Sequence, residues 1–137
     1  MAEIETVRQS LLKEKKEYFA GVVAEAQKEA SAWVAHAEGN DDEATKMLRA
    51  VAEKEESTGE EPEGIPAREM LADLLLESKH PEQALAEYEK DLQFNPNRFD
   101  GLYGAASAAE LAGKTEKATT YYSQLVRICD GTPTARN

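Results

Sequence analysis

The sequence has little with which to staple itself, cross a membrane or grip a polyanion. One cysteine, Cys129, stands among 137 residues, so no internal disulfide is available and a reducing, cytoplasmic setting fits. No apolar run approaches the roughly 20 residues of a spanning helix. The opening MAEIETVRQSLLKEKKEY lacks the apolar core of a secretion signal. Cations are scarce: 16 Lys and Arg against 27 Asp and Glu leave a net charge of −11. That sign opposes nucleic-acid backbones and anionic membrane surfaces, so neither is an expected partner. The two histidines, His36 and His80, have no Cys, Ser or second His at the spacing of a triad or metal site. His36 with Glu38 and Asp41 offers at most an incidental metal contact. No glycine-rich phosphate loop follows a strand pattern, and Cys129 reads as a small apolar filler. The expectation is a non-enzymatic protein with no catalytic residues, metal or cofactor.

What remains is helical. Ala, Glu, Leu and Lys dominate, and apolar residues recur mostly three and four apart. Over residues 3–38 this rhythm runs through Ile4, Val7, Leu11, Tyr18, Val22, Trp33 and Ala37 without a proline, which predicts one long helix or two in tandem. Gly21 is its weak point, at about 1 kcal/mol relative to Ala. Lys13, Lys15 and Lys16 beside Glu14 and Glu17 read as a solvated face. Gly39-Asn40 predicts a turn, with Asp41 or Asp42 capping a helix over 42–56. That helix places Ala44, Met47, Leu48 and Val51 on one face. STGEEPEGI, 57–65, reads as a loop. Residues 41–64 hold nine acids and three bases, either a solvated spacer or a docking loop for a basic partner. Helices follow over 66–78, 81–94, 99–112 and 115–128. Pro66 is pre-set for a first turn, Gly113 is a C′ residue, Thr115 is a cap, and 131–137 is a frayed tail.

The stretch 66–128 contains one hairpin twice. A shift of 34 residues superimposes Ala72 on Ala106, Glu82 on Glu116, Ala84 on Ala118 and Tyr88 on Tyr122. The first copy reads Arg68-x-x-Leu71-Ala72-x-x-Leu75, then Ala84-x-x-x-Tyr88, then Pro96. The second reads Leu102-x-x-Ala105-Ala106-x-x-Ala109, then Ala118-x-x-x-Tyr122, then Asp130. This resembles the tetratricopeptide repeat family, with departures: Arg68 replaces a large aromatic, Asp91 replaces a small residue, and the last unit lacks the proline. Ala44-x-x-x-Leu48, with Ala32 and Ala35, suggests a divergent earlier unit. Its offset of 40 rather than 34 puts extra residues in the 57–65 connection.

The resemblance implies an all-α fold, a right-handed α-α superhelix of about three units. The expected single domain divides into an N-terminal helical extension (1–24), a divergent repeat (25–56), an acidic loop (57–65), repeats at 66–98 and 99–130, and a tail. It also implies a concave wall lined by the first helix of each unit. The family frame maps its exposed positions to Ala26, Glu29, Trp33 and His36, then Pro66, Glu69, Asp73 and Leu76, then Asp100, Tyr103, Ser107 and Glu110. Of these, Glu29, Trp33, Glu69, Asp73, Asp100, Tyr103, Ser107 and Glu110 form the candidate peptide-binding set, acidic with two aromatics. The expected function is a protein-interaction scaffold for a basic peptide or protein segment. The other reading is a structural module: a homodimer, or the end of a longer repeat array, with Tyr121, Leu125 and Ile128 left uncovered on the last helix.

Overall fold

The computed structural model describes residues 2–59, 61–62 and 64–131. Six helices follow one another: α1 (Ala2–Ala37), α2 (Asp41–Thr58), α3 (Ala67–Glu77), α4 (Pro81–Phe94), α5 (Phe99–Leu111) and α6 (Thr115–Cys129). No strand occurs among the described residues. Each helix packs chiefly on its neighbours in the chain, and α3 also touches α5. The apolar rhythm with no interior proline makes α1 a single 36-residue helix, about 54 Å long at 1.5 Å per residue. Residues 3–20 are exposed throughout.

The same turn closes each of the three hairpins. Gly39, Lys79 and Gly113 sit at equivalent places with φ of +87°, +67° and +76°. In each, the next amide reaches back five residues: Asn40 to Ala35, His80 to Leu75 and Lys114 to Ala109, at 2.8 to 2.9 Å. This back-bonded, left-handed end is the standard way to satisfy the last carbonyls of a helix. The expected side-chain caps do not form. Asn40 and Lys114 hold the cap positions of α2 and α6 without side-chain bonds. Asp41 instead takes the His36 ring, Nδ1 to Oδ1 2.6 Å. Pro66 precedes α3 as its cap residue, and the free amide of Ala67 donates to Glu55 of α2 at 2.9 Å.

The helix α2 runs past the expected end at 56 to Thr58. The hydroxyls of Ser57 and Thr58 donate back to the carbonyls of Lys54 and Glu55 at 2.8 Å, satisfying acceptors that a loop would leave to water. Extra residues therefore lie partly in α2, 18 residues against 14 in α4, and partly in the loop that follows. Of the tail, only Gly131 lies within the described residues.

One apolar core runs through all three hairpins, built from Ala32, Ala44, Leu48, Leu71, Leu74, Tyr88, Ala105 and Ala109 among others. Alanines at the helix contacts let backbones approach closely. At Gly104 even a Cβ is excluded, because it would lie 2.4 Å from the Tyr88 ring. Leu125, expected at an open edge, is buried, while Val126 on the same helix is exposed. Cys129 is also exposed, so it fills no core position.

Charges are buried in this core where the repeat pattern departs from its frame. Arg68 is 1 % exposed. Its Nε and Nη2 donate to Glu56 at 2.6 and 2.8 Å, and Nη1 donates to Glu87 at 2.6 Å. Glu87 also takes Arg49 at 2.7 Å. One guanidinium fork thus ties α2, α3 and α4, a geometry that suits Arg and not Lys.

Candidate functional site: an acidic cleft between α1, α2 and the loop

An antiparallel hairpin turning at 39–40 sets residue 25 opposite residue 54, and Lys54 indeed pairs with Glu25 at 3.2 Å. The same geometry brings Gly21 on α1 beside Thr58 on α2. Beyond this level Glu61, Pro62, Gly64 and Ile65, with Met70 of α3, stand beside the two helices. The result is a cleft of about 480 Å³. Its walls carry Glu17, Glu25, Glu29, Glu55 and Glu61, and its apolar lining includes Tyr18, Val22, Ile65 and Met70. Gly21, Gly64 and Pro62 leave the backbone close to the surface of the cleft.

The carboxylates are not equally solvated. Burial pushes Glu55 up to about 7, with Glu29 and Glu25 adding to the effect and the Ala67 amide opposing it. Glu29 is raised too, by burial first and then by the Glu25 charge. Glu25 has Lys54 as its partner, whereas burial and the neighbouring carboxylates favour the protonated forms of Glu55 and Glu29. Glu55 also borders a second, smaller cleft of about 100 Å³ that Arg68, Asp91 and Phe94 help to line. The arrangement is suited to receiving a positive group with an aliphatic stem. Among the described residues, no group of three His, Cys, Asp or Glu is placed to hold a metal ion.

The eight candidate residues from the sequence do not form one surface. Glu29 lines the cleft, and Trp33, one turn further along α1, is half-buried against the core. Glu69 is not exposed: it is 1 % accessible and takes Nε and Nη2 of Arg98 at 2.6 and 3.2 Å. It braces α3 to the residue that leads into α5. Pro66 is likewise buried. Asp73 is half-buried and accepts the Tyr88 hydroxyl, and burial pushes it up to about 6. Asp100, Tyr103 and Glu110 are exposed on α5, with Ser107 half-buried between them. Tyr103 stacks on Phe99 at 6.3 Å and meets Tyr122 edge-on at 6.4 Å, and Tyr122 donates to Glu110 at 2.9 Å.

Sequence reasoning passed over Glu25, Glu55, Ile65 and Met70. The signal was present in the hairpin count, since a turn at 39–40 pairs 25 with 54 and places Glu55 beside that pair. His36, set aside as a ligand, lies between Asp41 and Glu77, the latter 3.6 Å from Nε2. The bond to Asp41 is the main reason its pKa is raised.

No protein-family model matches the chain, and no curated protein matches it. No helix among the described residues is long and apolar enough to cross a membrane.

Proposed function

We propose that this chain is a non-enzymatic protein-interaction scaffold of tetratricopeptide-like hairpins, and that its acidic cleft receives a basic or mixed apolar–basic segment of a partner protein. The carrying observation is the juxtaposition of five glutamates with an apolar lining in one cleft. The recurrence of one turn geometry at residues 39, 79 and 113 supports the repeat assignment. A Lys or Arg side chain suits such a cleft: its stem packs on Tyr18, Val22 and Met70, and its head meets Glu25, Glu29 and Glu55. Arrival of a cation favours the ionised carboxylates, so binding releases protons. Affinity is therefore expected to rise between pH 6 and 8, as Glu55 ionises.

The test is fluorescence anisotropy with labelled Lys/Arg-rich and Asp/Glu-rich peptides at two salt concentrations. The basic peptides are expected to bind, more weakly at high salt, and the acidic ones not to bind. Glu25→Gln with Glu29→Gln should weaken binding by about tenfold, or about 1.4 kcal/mol. Equal binding of both peptide classes, or an unchanged affinity in the double variant, contradicts the reading.

A further inference from the structure

The first half of α1 carries an apolar stripe with no role in the hairpin core. Ile4, Val7, Leu11 and Leu12 are 70, 59, 61 and 42 % exposed. At 100° per residue, Ile4, Val7 and Leu11 fall within an arc of about 60°. Continued along the helix, the same arc holds Val22, Glu29 and His36, on the side that faces α2 and the cleft. The exposed stripe is thus the extension of a helix-packing face beyond the end of its partner.

Charge indicates what covers it. Residues 2–20 contain four acids, Glu3, Glu5, Glu14 and Glu17, and four bases, Arg8, Lys13, Lys15 and Lys16. Their formal charges cancel, so the net charge of −11 lies entirely in the remainder of the chain. Two copies repel across most of their surfaces and do not repel here. The flanking charges are also shared out within the helix, with Arg8 3.6 Å from Glu5 and Lys13 4.0 Å from Glu17. Pairs this exposed are readily exchanged for pairs across an interface.

We propose that residues 3–20 of α1 form a self-association surface, packing against the same segment of a second copy about a two-fold axis. A C2 interface of this kind is self-complementary, as one neutral, apolar stripe of mixed charge must be. About 27 Å of helix from each copy lies at the small end of specific interfaces, so the dimer is expected to be weak and to form only as concentration rises. Glu17 and Tyr18, at the end of this segment, also line the cleft, so self-association is tested at Ile4 and Leu11, away from it.

Sedimentation velocity between roughly 5 and 300 µM is the measurement. The 15.1 kDa chain should shift to a species of twice that mass as concentration rises. Ile4→Glu with Leu11→Glu should stay monomeric at the highest concentration. Its thermal unfolding midpoint, read at low concentration, should match the parent, because neither side chain touches the hairpin core. A parent that is monomeric throughout overturns the proposal. So does a double variant that dimerises like the parent. Partition of a monomeric parent onto zwitterionic phospholipid vesicles would assign the stripe to a lipid surface and overturn it as well.

Discussion

The middle hairpin and the last one are built on the same register and filled with opposite chemistry. Offset by 34 residues, Arg68, Glu69 and Asp91 of α3–α4 stand where Leu102, Tyr103 and Leu125 stand in α5–α6. All three charges are 1 % exposed. The middle hairpin has a hairpin on each side, and two of its charges reach across those seams. Arg68 joins α3 to Glu56 of α2, and Glu69 joins α3 to Arg98 at the entry of α5. The α5–α6 hairpin, which among the described residues packs on the middle one, buries Leu102 and Leu125 instead. At 68/102 and 91/125 the repeat position is buried whichever residue fills it, polar or apolar, while at 69/103 the burial itself differs, with Glu69 buried and Tyr103 exposed. Buried ions are poor sources of net stability, and here they sit where adjacent units must be held at a fixed setting.

Arg68→Leu, which copies Leu102 into the middle hairpin, breaks this contrast most severely. It strands Glu56 and removes one of the two cations on Glu87, and loss of one partner from a buried pair costs about 3–5 kcal/mol. Urea unfolding should show that loss; a change below about 1 kcal/mol would mean that the charges are dispensable. Gly104→Ala comes next. The new methyl meets a Tyr88 ring whose hydroxyl is held by Asp73, and overpacking of this kind costs about 1–3 kcal/mol. The equivalent Tyr122 is only half-buried.

Asp91 should give the opposite sign. Its Oδ2 is buried without a partner, although Oδ1 accepts from Asn95 at 3.1 Å. Burial pushes its carboxyl up to about 6. A group raised in the folded state binds its proton more tightly there, so stability falls as pH rises from about 4 through 6. Glu55 and Asp73, raised to about 7 and about 6, act in the same direction. The parent's melting temperature is expected to decline between about pH 4 and 7. Asp91→Asn should narrow that decline and gain about 1 kcal/mol at pH 8; an unaltered pH profile would show that Asp91 does not titrate there. The smallest effect belongs to the turns. Lys79 holds the left-handed conformation that glycine holds at 39 and 113, so Lys79→Gly should stabilise by about 0.5–1 kcal/mol, read as a higher urea midpoint.

Much of this fold was legible because helices without interior prolines, broken at His80-Pro81 and Asn95-Pro96, can end in few places. The bounds of α3 to α6 fall within one residue of those read from spacing. What escaped was set by partners distant in sequence. Asp41 lies one residue inside α2, past the cap position held by Asn40, and its carboxylate takes the His36 ring. Glu69 lies buried because Arg98, 29 residues later, folds over it, which no helical wheel of α3 reveals. The cleft needed the hairpin pairing of α1 with α2, and the acidic run at 41–64 marked only one of its walls.

The proposed seat of a basic segment lies between α1, α2 and residues 61–62 and 64–65. Amide chemical-shift mapping of the isotope-labelled chain, titrated with a Lys/Arg-rich peptide, tests it most directly. The largest shifts are expected at residues 17–29, 55–65 and 70. Shifts confined to α5 around Asp100, Tyr103 and Glu110, or none at saturating peptide, would contradict it.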